Sequence, residues 1–177
     1  STVNRLLANG DTHIYLTTRN DSSTAGPVIP TYEDFETRMA DWTTRLDYLV
    51  SKGLTPILSM TPEGSGNTAI TNQTVAEHLA HYQNMVDRFD DKVDGYFIGI
   101  EVDEWASAAH VNQLVSELKK LTTKPVGVHL TPGVGGTDAD TSYYDGADFI
   151  FLQTGFDLTE SEVAELMVEA LELGIPV

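Results

Sequence analysis

Cysteine is absent from this chain of 177 residues. Its absence excludes disulfide bonds and thiolate metal sites, and it leaves the redox compartment undetermined. Long apolar runs are also missing, since no stretch approaches the roughly 18 residues that a membrane-spanning helix needs. The first ten residues have neither a basic start nor an apolar stretch, so no signal peptide is visible. Because the chain begins with Ser1 rather than Met, we expect its natural N-terminus to lie further upstream.

Basic residues are scarce. Ten Lys and Arg residues face 27 Asp and Glu residues, which gives a net charge of -17. This charge repels nucleic acid backbones and anionic membranes, so neither is an expected partner. The acids are scattered through the chain, which fits either a solvated, soluble surface or an adaptation to high salt, where screening offsets self-repulsion. The few lysines and the many Asp and Thr residues favour the halophilic interpretation.

Several familiar catalytic and nucleotide-binding motifs are missing. The segment after the first predicted strand, residues 17–26, contains neither GxGxxG nor GxxxxGK[ST], which argues against a doubly wound nucleotide-binding sheet. The glycine-rich residues 133–136 lead into no helical pattern. No HExxH metal motif and no GxSxG nucleophile elbow occurs either.

Apolar residues repeat at helical spacing in four places. The stripes cover residues 35–49, 75–89, 111–121 and 163–171. Thr31 with Asp34, and Thr159 with Glu162, fit capping pairs, and Ser107 fits an N-cap.

Short β-prone runs lie between the helical stripes, at residues 13–17, 55–59, 96–100, 126–130 and 148–152, with another run starting at Ile175. This alternation predicts right-handed βαβ units, a parallel sheet and an α/β fold. Residues 131–146 are rich in Gly, Asp and Thr and leave room for one helical turn at most. No inter-domain linker is visible, so we expect one domain over residues 1–177.

Polar or acidic side chains follow several of these strands, as the catalytic face of a (β/α)8 barrel requires. The residues at these ends are Thr17, Arg19, Met60, Glu63, Glu101, His129 and Gln153. The most informative end is that of residues 96–100, where Glu101, Asp103 and Glu104 precede Trp105. A buried strand that delivers acids at its carboxyl end predicts a catalytic site.

Four segments resemble strands four to seven of cellulase-like (β/α)8 glycoside hydrolases. They are residues 96–105, Lys-Pro-Val-Gly-Val-His-Leu at 124–130, Ala-Asp-Phe-Ile-Phe-Leu-Gln at 147–153 and Leu-Gly-Ile-Pro-Val at 173–177. The resemblance covers residues 12–177 and lies in element order and strand-end chemistry. It implies a partial or truncated TIM barrel that lacks strands one and eight. The chain is then either a fragment or a degenerate partial barrel.

The same resemblance implies roles for the acids. The family carries its acid/base at the end of strand four, which matches Glu101, and its nucleophile at the end of strand seven, which would lie beyond Val177. A retaining mechanism needs these two carboxyl groups about 5–5.5 Å apart. Strand alternation places Glu101 on the face of Phe97 and Gly99, and Gly99 would leave room for a substrate or a neighbouring side chain.

Other interpretations of the acids stay open. The family has Asn before the acid/base, whereas this chain has Ile100, and this departure leaves Glu104 as a competitor. Glu101 can also be a solvated loop acid or an ion-pair partner of Arg19. Asp103 and Glu104 suit a loop or a helix start.

The substrate-binding candidates are Arg19, Trp105, His129, Gln153 and Phe156. Aromatic rings such as Trp105 and Phe156 can stack on sugars, although a hydrophobic lid is an equal interpretation of Trp105. His129 and Gln153 suit hydrogen bonds to sugar hydroxyls or to the catalytic Glu, and His129 equally suits a structural role.

The remaining histidines are expected to be structural. We expect His13 to pack inside the fold and His78, His81 and His110 to lie on the surface. Glu101, Asp103 and His129 are metal-ligand types without a metal motif, so no metal and no cofactor is predicted.

The sequence therefore predicts a glycoside hydrolase-like domain that acts on a polysaccharide or glycan by a retaining mechanism. The alternative is a non-catalytic carbohydrate-binding or structural domain of an extracellular or virion-associated assembly. A metal-dependent barrel hydrolase is a third interpretation. We expect a carbohydrate partner, no nucleic acid and no membrane insertion.

Overall fold

The structure is a computed structural model, and it describes residues 2–16, 39–61, 68–131, 141–152, 159–172 and 174. The following statements concern these residues. Five strands form one parallel sheet in the order β1-β2-β3-β4-β5. They are β1 His13–Leu16, β2 Thr55–Ser59, β3 Gly95–Phe97, β4 Val126–Leu130 and β5 Phe149–Leu152.

Helices alternate with these strands. They are α1 Thr2–Asn9, α2 Met39–Ser51, α3 Thr68–Thr71, α4 Val75–Phe89, α5 Ala108–Leu121 and α6 Glu160–Glu172. Two 3-10 turns, Val102–Glu104 and Thr141–Tyr144, follow β3 and precede β5. The five parallel strands and their helices form a curled half of a (β/α)8 barrel, which confirms the predicted fold class.

The convex face of the sheet carries the main hydrophobic core. Side chains that alternate along the strands point toward the helices, and α2 contacts β2 while α5 contacts β4. The buried members from the strands are Leu58, Tyr96, Val126, Val128, Leu130 and Ile150. Burial of a large apolar side chain contributes roughly 1.5–3 kcal/mol, so this layer holds the helices against the sheet.

The concave face is aromatic. The rings of Tyr15, Phe97 and Phe151 contact one another across it. Gly127 provides space for the ring of Phe149, since a Cβ atom on Gly127 would lie 2.3 Å from a carbon of that ring. Tyr15 remains 56% exposed, so this face is open at β1.

Local signals explain where two helices begin. In α4 the Thr74 hydroxyl accepts a hydrogen bond from the Glu77 N–H, and the Glu77 carboxylate accepts one from the Thr74 N–H at 2.7 Å. This capping box satisfies amides that the first turn leaves unpaired. Ser107 caps α5 through the His110 N–H, as predicted.

Most element positions agree with the sequence. The predicted bounds of β2 and β4 are confirmed, and the segment before β5 contains one short 3-10 turn at Thr141–Tyr144. The predicted strand at 96–100 is wrong in its second half, because β3 ends at Phe97. Helix α1 was not predicted. Thr31, Asp34, residues 133–136 and Ile175 lie outside the described residues.

Two expectations about histidines are wrong. His78 and His81 are 0% and 3% exposed, because α4 packs against α5 as well as against the sheet and therefore buries a wider arc than one stripe. His13 is exposed rather than packed, and its Nε2 atom lies 3.3 Å from Asp94 Oδ2. Within the described ranges, every helix is too short or too polar to cross a bilayer.

Candidate active site at the carboxyl end of the sheet

The chain after β3 turns sharply at Glu101. Ile98 still donates its N–H to Gly127 O, but the following residues leave the strand ladder. Glu101 has φ 48° and ψ 51°, the left-handed conformation, and it is the one non-glycine residue with positive φ in the described part of the chain. Strand alternation therefore does not set the direction of its side chain, contrary to the sequence argument.

A hydrogen bond to His129 holds this turn. The Glu101 N–H donates to His129 Nδ1 at 3.1 Å. His129 lies on β4, the neighbour of β3, so the bond joins the carboxyl ends of two adjacent strands. Glu101 as a whole residue is partly buried. The predicted site residues Glu101 and His129 are therefore adjacent.

Asp103 has a structural partner. Its Oδ1 atom accepts a hydrogen bond from the Thr131 N–H at 2.8 Å. The loop and the end of β4 thus each donate one backbone amide and each accept through one side chain. We name these two bonds, Glu101–His129 and Asp103–Thr131, the reciprocal clamp.

Glu104 is exposed at the end of the 3-10 turn, and its N–H donates to Glu101 O at 3.0 Å. Of the two predicted acid/base candidates, Glu101 has the more enclosed position.

Trp105 packs inward. Its Nε1–H donates to Ile100 O at 3.1 Å, and its ring lies 6.0 Å from the ring of His78. A Cβ atom on Gly99 would lie 3.2 Å from both Trp105 Cζ2 and Thr61 Cβ. The space that Gly99 leaves is therefore filled by neighbouring side chains. This arrangement fits the lid interpretation of Trp105.

The electrostatics around His129 favour a neutral ring. Burial lowers the pKa of His129. Three smaller effects raise it: the Glu101 carboxylate, a hydrogen bond to the backbone of His129 and the Asp103 carboxylate. Because Nδ1 accepts the Glu101 N–H, the proton of the neutral ring is on Nε2. The site thus offers one partly buried glutamate beside a neutral imidazole that can donate from Nε2.

Two polar residues at the carboxyl end of β2, Ser59 and Thr61, were not singled out in the sequence. The Ser59 hydroxyl donates to Thr61 O at 2.8 Å, and Thr61 Oγ1 lies 2.6 Å from Tyr82 Oη, all in buried surroundings. These bonds anchor the end of β2 to α4. The polar Ser59-Met-Thr61 sequence at a strand end was an available signal.

Three candidate binding residues, Arg19, Gln153 and Phe156, lie outside the described residues. Among the residues that the structure places, no group of three or more His, Asp or Glu side chains is arranged to hold a metal ion. Asp103 and His129, which have ligand chemistry, use Oδ1 and Nδ1 in the reciprocal clamp instead.

Comparisons with known proteins identify the fold. No family model matches the sequence, and no curated protein matches it. Solved structures do match. The catalytic domain of a mannanase from Streptomyces sp. SirexAA-E superimposes with a TM-score of 0.57 at 15% identity, over 99% of this chain and 58% of that one.

Two further structures are similar. A protein described as a dihydrodipicolinate synthetase from Pseudomonas aeruginosa gives a TM-score of 0.52 at 16% identity, over 98% of this chain and 53% of its own. ScGas2, solved in complex with a compound, gives 0.50 at 12% identity, over 93% and 47%. The chain spans about half the length of the structures it resembles.

The fold is that of the (β/α)8 barrel. The partial (β/α)8 barrel that the resemblance to cellulase-like glycoside hydrolases implies is thereby confirmed as a fold. Because a synthetase matches about as well as a mannanase, the likeness does not select an activity. The activity has to be argued from the site.

Proposed function

We propose that this chain is part of a glycoside hydrolase and that Glu101 is its acid/base. One observation carries the proposal. A partly buried glutamate follows β3 at the carboxyl end of a barrel sheet, with its backbone in the left-handed conformation and hydrogen-bonded to the adjacent strand. The carboxyl end is where (β/α)8 barrels place catalytic groups, and unusual backbone conformations cluster at functional sites.

Glu101 suits this role better than Glu104. A general acid in a glycosidase must donate a proton to the leaving-group oxygen, so it has to lie where a bound sugar is enclosed rather than in open solvent. Glu101 is partly buried, whereas Glu104 is exposed. The His129 ring beside Glu101 supplies a hydrogen-bond donor at Nε2 for a sugar hydroxyl.

A retaining mechanism needs a second carboxyl group about 5–5.5 Å from the first. In this proposal the nucleophile follows the strand that the sequence predicts to start at Ile175, and it lies beyond Val177, as the family resemblance implies. Arg19, Gln153 and Phe156 remain proposed substrate-binding groups on the other strand ends. Trp105 has a weaker claim to stack on sugar, because its ring packs against Gly99 and His78.

The charge of the chain restricts the substrate. A net charge of -17 disfavours sulfated or other strongly anionic glycans, so a neutral polysaccharide or glycan fits best. We place such an enzyme outside the cell or on a virion, in line with a polymeric substrate. Soluble β-mannan is one neutral polymer to test, together with other β-linked glycans.

The test uses the wild-type protein with the residues that follow Val177, because the proposed nucleophile lies there, and compares it with its variants Glu101→Gln and Glu104→Gln. Hydrolysis of activated aryl glycosides is measured beside glycan binding by affinity electrophoresis. We expect Glu101→Gln to lose at least 100-fold in kcat while binding is retained, and Glu104→Gln to stay within about threefold. Unchanged turnover in Glu101→Gln would remove Glu101 from the mechanism. Binding without hydrolysis by the wild-type chain would favour the non-catalytic carbohydrate-binding domain.

A further inference from the structure

The backbone conformation of Glu101 requires support from its surroundings. For an L-residue other than glycine the left-handed region costs roughly 1–2 kcal/mol, and Asn, Asp or Gly is the usual occupant. Glu101 has neither the short side chain nor the missing Cβ atom that lowers this cost. Such a conformation persists only where neighbouring contacts determine it.

The contact that reaches the Glu101 backbone from outside its own loop is the bond to His129 Nδ1 at 3.1 Å. The 3-10 turn that follows closes through the Glu104 N–H and Glu101 O at 3.0 Å, but this bond lies within the loop. His129 is on β4, where its backbone pairs with Phe151 of β5. The imidazole therefore ties a strained loop to a rigid strand.

We propose that His129 is a positioning residue for Glu101: its Nδ1 atom holds the Glu101 backbone in the left-handed conformation and thereby fixes the direction in which the Glu101 side chain leaves the backbone. The catalytic part of this inference rests on the proposed function, whereas the conformational part does not. Asp103 reinforces the arrangement from two residues further on, because its bond to the Thr131 N–H keeps the loop against the end of β4.

The inference separates two roles that His129 can have. A histidine that only fills space would be replaced well by an apolar residue of similar size. A histidine that acts through Nδ1 needs an acceptor at that position. The Oδ1 atom of asparagine can occupy the place of Nδ1 and accept the same N–H, whereas leucine cannot. His129→Asn and His129→Leu are therefore a matched pair.

The first readout does not depend on activity. Hydrogen exchange of the Glu101 amide, measured by NMR, reports the bond directly. We expect His129→Leu to speed this exchange about tenfold, in line with the loss of one hydrogen bond, and His129→Asn to restore protection. His13→Leu, at an exposed histidine on β1, is the control and should leave the Glu101 amide unchanged.

The second readout is kinetic. A shift of the carboxylate by about 1 Å can cost 100-fold in rate, so His129→Leu should lower kcat by about that factor with KM within threefold, and His129→Asn should recover most of it. Equal exchange and equal kcat in His129→Leu and wild type would overturn the inference, as would an asparagine variant no better than the leucine variant in exchange.

Failure of the proposed function looks different. If the wild-type chain hydrolyses no glycan, the exchange comparison still decides whether His129 holds Glu101.

A double-mutant cycle of His129→Leu with Glu101→Gly guards against misfolding, because glycine needs no support in the left-handed region. Positioning predicts that His129→Leu destabilises the wild-type chain more than it destabilises the Glu101→Gly variant, and equal losses in both would contradict it.

Discussion

The ring of Tyr15 on β1 lies 5.3 Å from the ring of Phe151 on β5, centroid to centroid, although these are the first and last strands of the described sheet. In a flat sheet, four strand intervals of about 4.8 Å would separate the two strands by roughly 19 Å. Curling of the sheet brings the two rings together. The contact between these two rings therefore reflects the curvature of the sheet.

The strand register explains why these rings meet. The row of paired residues that starts at Tyr15 reaches β3 at Gly95, two residues before Phe97. The row through Phe97 reaches β5 at Phe149, two residues before Phe151. An advance of one residue per strand is the stagger of an eight-stranded barrel with a shear of 8. Tyr15, Phe97 and Phe151 thus form one interior layer, supplied by alternate strands.

The layer predicts an energetic coupling between its outermost members. A double-mutant cycle of Tyr15→Ala and Phe151→Ala should give a coupling free energy of about 0.5 kcal/mol, because aromatic pairs contribute roughly 0.5–1.5 kcal/mol and Tyr15 is 56% exposed. Urea unfolding measures it. Tyr48→Ala with Phe151→Ala is the control cycle, since Tyr48 is exposed on α2, and it should be additive. Additivity in the Tyr15 cycle would mean that the sheet is less curled.

Gly127 supplies a second test of the concave face. A methyl group at this position would meet the Phe149 ring at 2.3 Å, so Gly127→Ala should lower the free energy of unfolding by about 1–3 kcal/mol. A smaller side chain at position 149 should relieve the overlap between the methyl group that Gly127→Ala adds and the ring. We expect Phe149→Leu to cost less in the Gly127→Ala background than in the wild type, by at least about 1 kcal/mol in urea unfolding. Equal costs in both backgrounds would mean that the ring does not cover Gly127.

The sequence predicted both ends of β2 and of β4. The bounds of β2 and β4 follow from short β-prone runs that Pro56 and Pro125 help to delimit. The same reasoning failed for β3, because nothing in a pattern of apolar residues shows that Glu101 adopts a left-handed backbone. That conformation depends on a long-range bond to His129, 28 positions away. Tertiary contacts of this kind are invisible to periodicity.

The histidines of α4 show the same limit. His78 and His81 fall outside the apolar stripe of this helix, so the sequence predicted them on the surface. In the structure both are buried, and the ring of His110 on α5 lies 5.6 Å from that of His78. The packing of α4 against a second helix decides their burial. Single-helix periodicity contains no information about that second partner.

Buried histidines predict acid sensitivity. Burial lowers the pKa of His78 to about 4 and that of His81 to about 3, with a further lowering of the His78 pKa by His110 and an opposing effect of Glu77. Between pH 6.5 and these values, the unfolded chain binds protons that the folded chain does not. The contribution of the two neutral rings to the free energy of unfolding is thus complete above about pH 6.5. It is lost progressively as the pH falls below that value.

Each ring should lower the free energy of unfolding by up to about 1.4 kcal/mol per pH unit in this window. Urea midpoints at about pH 7, 6 and 5 measure the slope. His78→Gln and His81→Gln should each flatten it. An unchanged slope in both α4 variants would show that these rings are accessible to protons in the folded state.

The excess of acidic residues predicts stabilisation by salt. With a net charge of -17, repulsion between like charges opposes folding, and raising chloride salt from about 0.1 M to 1 M shortens the screening length from about 10 Å to about 3 Å. Salt also weakens exposed ion pairs such as Arg45–Asp41, but each contributes only about 0–1 kcal/mol.

The melting temperature should therefore rise by several degrees between about 0.1 M and 1 M NaCl, since about 1 kcal/mol shifts it by roughly 2–4 °C in a chain of this size. Sucrose at equal osmolality is the control for solvent effects that do not involve charge. A flat melting temperature in NaCl would count against the halophilic interpretation.

Glu101 should make the protein less stable than a glycine at the same position would. Replacement by glycine removes a left-handed penalty of roughly 1–2 kcal/mol but adds an entropic cost of about 0.5–1 kcal/mol in the unfolded chain, so Glu101→Gly should stabilise by about 0.5–1 kcal/mol. Glu101→Gln keeps the side-chain length and the penalty, and it should stay within about 0.5 kcal/mol of the wild type. Urea unfolding of the three chains at neutral pH measures both differences. If Glu101→Gly were less stable than Glu101→Gln, the backbone at this position would not be under strain, and the loop would have no conformational reason to need His129.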